Sequence, residues 1–391
     1  MAELKETGPP PELSDDSGTV EAGAPINERS LLRKLDLKLL PAVGVLYLLS
    51  FLDRSNVGNA RIEGMVDDLN MTGNQYLTGL TLYFVGYVIF EGIGKMAGVV
   101  WDNGWRWIFI LEGIATVVIA FGAFWFIQNY PETSGFLNPA ERRFIHDRLT
   151  ADSDAMRQEK FTWAAVGEAL RDPSCWLYGL GFHTMSLPLY TLSLFMPTII
   201  KDLGYQAAVA QLLTIPPYAV SFVTTLTVAV FSERTGQRAV FIAGSSVVGA
   251  IGYVILLANT DPTARPGVSY LGTFFAAAGI YPATALVLSW PAINVSGQTK
   301  RAIANAMQIS IGNLGAVMGT QLYRSDDGPR FVVGHSLALA YLVANAAVVT
   351  VLAWRLRRQN KEREAVSEEI KHVGEVEDWK GDSDPRWRFE Y

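Results

Sequence analysis

The sequence predicts an all-α, polytopic membrane protein, and three observations carry that expectation. Half of the 391 residues are hydrophobic and only 18% are charged, against about 25% charged in an ordinary soluble domain. The mean hydropathy is positive, at +0.20. The apolar residues are also gathered into runs such as 107–126, 238–258, 267–290 and 331–354. Each is close to the ~20 residues that a helix needs to cross a bilayer core.

Taken in order, residues 1–37 form an expected cytosolic tail with a basic flank. Residues 1–28 are acidic and rich in Pro, Ser and Gly, and they carry no apolar stretch of the kind a cleavable signal peptide needs. Nine candidate spans follow, near 38–58, 75–95, 107–127, 174–200, 206–232, 238–258, 267–291, 302–323 and 332–354. Between the third and fourth lies a polar linker, 131–173. There Asn138 is placed to cap a helix, Pro139 fits its first position and Glu141 can close a capping box. Residues 358–391 read as a second cytosolic tail, with too little apolar surface to fold. Cys175 is the single cysteine, so no intrachain disulfide or CxxC site forms.

The positive-inside rule orients the later spans. With the linker inside, Arg234 and Arg238, then Lys300 and Arg301, then Arg355, Arg357, Arg358 and Lys361 all fall on the cytoplasmic side. Residues 174–357 thus read as a self-consistent six-helix bundle with both ends inside. Residues 38–130 do not read that way. Arg29, Arg33, Lys34 and Lys38 place the start inside, and the linker's Arg142, Arg143, Arg148, Arg157, Lys160 and Arg171 place its end inside too. Two cytoplasmic ends require an even number of crossings, and only three spans are visible. The parity fails within YFVGYVIFEGIGKMAGVVWDNGWRWIFILEG (83–113).

Several stretches resemble the major facilitator superfamily, and within it the fungal anion:cation symporters, which include allantoate, nicotinate and pantothenate permeases. They are RKLDLKLLPAVGVLYLLSFLDRSNVGNARI (33–62), GWRWIFILEG (104–113), NYPETSGFLNPAERR (129–143), residues 289–331 and the terminal RWRFEY. SERTGQRAVF (232–241) is similar to the family's acidic-Arg-x-Gly-x-Arg loop, with Glu233 in place of Asp. The resemblance implies twelve spans in two six-helix halves, here with a complete C-terminal half and a truncated N-terminal half. It places spans three, four and most of five at the junction between Phe90 or Glu91 and Gly92. This leaves a hybrid of spans two and five, and about 90 residues missing from the two-half plan. The lost span four would carry an Arg and a Glu that the family uses in binding and proton coupling.

The same likeness implies a proton-coupled symporter of small organic carboxylates. Asp53 and Arg54 sit at the end of the first span, where ionisable residues face protein or a water-filled cavity. Arg54 would hold a carboxylate bidentately, and Asp53 would carry the proton as its pKa responds to occupancy. The plain alternative is a boundary salt bridge. Tyr83 and Tyr87 share one face of span two at i, i+4, and His183 and Tyr190 lie in the fourth visible span. Trp290 precedes Pro291, whose missing N–H frees a carbonyl and permits bending. Gln308 and Asn313 lie beside Gly312, Gly315 and Gly319. Each of these is a candidate substrate contact with interior packing as its alternative, and packing is the preferred reading for the glycines.

Asn70-Met71-Thr72 is a glycosylation acceptor pattern. The sequence has no Walker A loop, zincin pair, GxSxG elbow or nucleic-acid motif. The expectation is therefore a transporter, not an enzyme, without a metal or cofactor. Its partners are a small organic anion, the proton and the lipid bilayer, and the plasma membrane is expected ahead of the vacuolar one. Loss of the missing spans would impair transport, which leaves as alternatives a non-transporting sensor or modulator, or a transporter shortened by splicing or by an error in the gene model.

Overall fold

The computed structural model describes residues 29–39, 41, 113–114, 117–119, 121–122, 135–152, 162–373, 381–384 and 387–391. The first span beyond residue 41, all of the second, most of the third, the junction at 90–92 and the residues Asp53, Arg54, Asn70, Tyr83 and Tyr87 lie outside them. Among the described residues the regular structure is entirely helical. In chain order the helices are α1 (Pro139–Asp152), α2 (Trp163–Arg171), α3 (Pro173–Asp202), α4 (Ala207–Leu212), α5 (Ile215–Thr235), α6 (Arg238–Ala258), α7 (Pro266–Asn294), α8 (Gln298–Gly319) and α9 (Val332–Val373).

The linker helix α1 starts as its sequence dictates. Asn138 Oδ1 accepts from the Glu141 N–H at 2.7 Å, and Glu141 Oε2 accepts from the Asn138 N–H at 2.9 Å, a closed capping box. Lys34 Nζ, from the helical stretch 29–39, reaches the same Glu141 carboxylate at 2.8 Å. Leu31, Leu137 and Ile145 bury together beneath that contact. The linker then closes on α3, where Asp172 caps by accepting from the Ser174 N–H at 2.9 Å and Pro173 fills the first position.

Among the described residues, four segments are long and apolar enough to cross a membrane: Ala207–Thr235, Arg238–Ala258, Pro266–Asn294 and Val332–Glu364. Their outward residues are large and exposed, among them Phe222, Leu226, Val247, Ile251, Val343 and Trp354. Such a surface suits lipid rather than water. Helices α3 and α8, both expected as spans, are not among these segments; α8 exposes Leu314 and Met318, whereas α3 faces protein. From Thr184 to Ile200 every residue of α3 is buried, including Ser186, Thr191, Ser193 and Thr198.

Small residues let these helices meet. A Cβ on Gly312 would run into the Phe182 ring, and one on Gly315 would run into the His183 carbonyl. The glycines of α8 therefore pack α8 onto α3, as expected. A second set joins α6 to α7: Gly252 faces the backbone of Gly272 and Ala276, and Gly279 faces Gly249 and Ser245. Close backbone approach is the main source of helix association where lipid is as apolar as the side chains. One buried amide ties three helices. Asn345 of α9 donates to Gly181 O at 2.7 Å and Thr184 Oγ1 at 2.9 Å on α3, and accepts from Ser246 Oγ of α6 at 2.9 Å.

The C-terminus departs from expectation. Helix α9 runs to Val373, well past the end of the expected span, and residues 387–391 pack back onto the bundle. Their hold comes from main-chain hydrogen bonds and charges (described below), which a count of apolar residues does not register.

Candidate functional site

Inside the bundle the expected substrate contacts separate into two groups. His183 is half-buried at the junction of α3, α8 and α9. Its Nδ1 lies 3.0 Å from Ile311 O, and its ring is tilted against Tyr341 with centroids 5.7 Å apart. Tyr190 is buried on α3 beside Thr191, whose hydroxyl donates to Leu187 O at 2.8 Å. Asn313 is buried on α8 next to the glycine stripe.

Gln308 and Trp290 have their donors engaged elsewhere in the protein. Pro291 lacks the N–H that would bond the carbonyl four residues earlier, that of Val287. Gln308 Nε2 donates to this same Val287 O at 2.8 Å, so a side chain of α8 replaces the bond that the proline of α7 removes. Trp290 is 1% exposed, stacks edge-on with Tyr178 at 5.7 Å, and donates its Nε1–H to Glu390 O at 2.9 Å.

A hydroxyl cluster absent from the sequence expectations joins α3, α5 and α7. Ser193 Oγ and Tyr281 OH lie 2.9 Å apart, and the Tyr218 ring meets Tyr281 edge-on at 5.8 Å. Ser193 is three residues on from Tyr190, so the two occupy neighbouring positions on α3. These hydroxyls are neutral hydrogen-bond partners and can donate to an anionic oxygen without adding charge. The signal available beforehand was Tyr281-Pro282 within an apolar span, which reads equally as packing.

At one end of the bundle the starts of α6 and α8 and the far part of α9 come together, as the charge distribution requires if they share the cytoplasmic side. Arg238, from SERTGQR, is nearly buried and pairs with Glu233 at 2.8 Å and Glu390 at 2.9 Å. Lys300 pairs with Asp382 at 2.8 Å and approaches Asp172 at 3.4 Å. Burial works against the Lys300 ammonium, but the Asp382 and Asp172 carboxylates outweigh it and hold its pKa above the ordinary lysine value. A cavity of about 370 Å³ opens here, lined by Arg171, Asp172, Tyr178, Lys300, Arg363 and Asp382. Among the described residues no group of His, Cys, Asp and Glu is arranged to hold a metal ion.

Residues 94–320, more than half of the chain, match the family model of the Major Facilitator Superfamily. The chain belongs to this superfamily. Its relatives include an uncharacterized transporter of Schizosaccharomyces pombe, 27% identical over 433 residues that cover 87% of this chain and 88% of that protein. The high-affinity nicotinic acid transporter of Saccharomyces cerevisiae is 26% identical over 473 residues, covering 97% and 88%. An MFS-type transporter of Penicillium expansum is 26% identical over 469 residues, covering 93% and 90%. This major facilitator protein is thus an integral membrane transporter, not an enzyme. The alignment with the nicotinic acid transporter runs over 473 positions against 391 residues, so at least 82 of its positions face no residue of this chain.

Proposed function

We propose that the protein is built as a proton-coupled carrier of a small organic carboxylate in the plasma membrane, and that this 391-residue form lacks the segment completing its first half. The observation that carries the substrate class is the nicotinic acid transporter, similar over 97% of the chain. Nicotinate is a carboxylate, and Arg54 offers the bidentate fork for one, beside Asp53 as the proton carrier. The hydroxyls of Ser193 and Tyr281, with Tyr218, Tyr190, His183 and Asn313, supply the facing half of the site. Gln308 and Trp290 enter as supports of α7. The shortening is favoured by the alignment positions with no residue here, and by a family match that begins at residue 94, just past the junction. The odd crossing number points the same way.

Uptake of radiolabelled nicotinate, driven by an inward proton gradient, tests the reading. Transcript sequencing across codons 88–107 comes first, since a longer message would supply the complete carrier. The complete carrier is expected to show uptake that Asp53→Asn abolishes and Arg54→Ala reduces at least about tenfold, the loss of one charge-assisted bidentate contact. The 391-residue chain is expected to remain at background. Equal uptake by the parent and both variants would remove the mechanism. Saturable nicotinate binding to the 391-residue chain, with no uptake from any message, would make the non-transporting sensor the function instead.

A further inference from the structure

The last five residues are gripped along their main chain. Asn294, at the end of α7, donates to Glu390 O and accepts from the Glu390 N–H, both at 2.8 Å. Asn360 of α9 treats Phe389 in the same way, accepting from its N–H at 2.9 Å and donating to its carbonyl at 2.8 Å. Two asparagines thus stand in for the edge of a sheet, each pairing with both the N–H and the C=O of one residue. Side chains add to the grip. Glu390 reaches Arg238 of α6, Arg357 lies over the Tyr391 ring at 4.6 Å, and Arg363 lies over Phe389 at 4.3 Å.

The grip brackets a bend point. Trp290 and Asn294, on either side of Pro291, both donate to Glu390 O. Proline leaves this turn of α7 short of one helical bond, and such gaps are where helices kink. Gln308 steadies the segment from the α8 side, and the terminal peptide steadies it from α6 and α9. The peptide itself is lightly held for its number of contacts. None of residues 387–391 is buried, and the Glu390 side chain is 45% exposed, so water and salt compete for these bonds.

We propose that Trp387–Tyr391 is a releasable latch over the proline hinge of α7. Docked, it holds the helix end beyond Pro291 against α6 and α9. Released, it leaves that end free to bend. The inference stands apart from the carboxylate reading and needs no transport to test.

Hydrogen–deuterium exchange of the full chain in lipid nanodiscs reads both ends of the latch. Amides of Phe389 and Glu390 are expected to exchange at least about tenfold more slowly than in a free peptide, as local structure requires. Asn360→Ala, which touches α9 and not α7, is expected to remove that protection and to speed exchange across 292–297 by a comparable factor. A chain ending at Arg386 removes the latch without altering a helix and is expected to speed exchange across 292–297 likewise, so poor folding of the asparagine variant leaves the test standing. In a Pro291→Ala background the restored helical bond makes 292–297 indifferent to the latch, an outcome that general loosening would not give. Unprotected Phe389 and Glu390 amides in the full chain overturn the proposal. So does an unchanged rate across 292–297 once the latch is gone.

Discussion

The membrane interior of the six-helix half and its basic face are held together by different means. In the interior, α6 meets α7 at glycines with backbone against backbone, and α8 meets α3 at Gly312 against the Phe182 ring and at Gly315 against the His183 carbonyl. Asn345 satisfies its amide across the bundle. At the basic face the same helices end in Arg238, Lys300 and Asn294, and the chain's own terminus bridges them through charges and main-chain bonds. Lipid supplies no hydrophobic force between helices, so the interior depends on contact distance. Water supplies competition and screening, so the basic face can be adjusted. The comparison separates what fixes the fold from what is free to change.

The largest break in that comparison is a side chain placed where two backbones meet. Gly315→Leu puts four carbons against the His183 carbonyl, and Gly279→Leu puts them against Gly249 and Ser245. Each is expected to cost about 3 kcal/mol or more, at the upper end of overpacking, because backbone cannot yield as a side chain does. Thermal unfolding followed by size-exclusion chromatography in detergent reads it as loss of the monodisperse species. Gly244→Ala, with no atom within 4 Å of its added Cβ, is the matched control and is expected to behave as the parent. Arg238→Gln at the basic face is expected to cost less, and its effect is expected to shrink as salt rises. An Arg238→Gln effect independent of salt would erase the distinction.

How much of this was legible beforehand depends on whether the physics is local. The capping box at Asn138 and Glu141 is a four-residue event, and it forms as written. The packing role of Gly312, Gly315 and Gly319 follows from their spacing on one helix. The family itself was legible from contiguous stretches of the chain. Trp290 and Gln308 show the limit. Pro291 announces a freed carbonyl at Val287, but the sequence does not say that Gln308, seventeen positions beyond it, supplies the donor. The docked terminus was hidden for a different reason. Its composition is poor in aliphatic residues, and its attachment runs through the peptide units of Phe389 and Glu390, which look alike in any sequence.

A middle-sized effect comes from the polar groups that link helices across the bundle. Asn345→Ala leaves Gly181 O, Thr184 and Ser246 without their shared partner. It is expected to cost about 1–2 kcal/mol, the range for interhelical hydrogen bonds in membranes. Gln308→Leu is expected to cost about 1 kcal/mol by leaving the Val287 carbonyl unpaired. The two differ in what rescues them. In a Pro291→Ala background the new backbone N–H takes the Val287 carbonyl, so the Gln308→Leu cost is expected to vanish while the Asn345→Ala cost persists. Thermal denaturation of the double-mutant cycle measures the coupling. Additive costs for Gln308→Leu and Pro291→Ala would remove the replacement-bond account.

The smallest expected effect lies where residues 29–39 meet the linker helix. Glu141 accepts from Lys34 Nζ and from the Asn138 N–H, and these bonds hold its carboxyl below the ordinary value of 4.5. Because the folded pKa is lowered, the contribution is fully present above pH 4.5 and is lost as pH falls through the folded value. Lys34 is open to solvent, so the expectation is a loosened contact and not unfolding. Pulsed electron paramagnetic resonance between spin labels at Arg33 and Ala140 gives the readout. One narrow distance is expected at pH 7, broadening as pH drops below 4.5, and Lys34→Gln is expected to broaden it already at pH 7. A distribution that stays narrow in acid would show that the buried trio Leu31, Leu137 and Ile145 holds this contact alone. At this contact too, apolar packing would then outweigh charge.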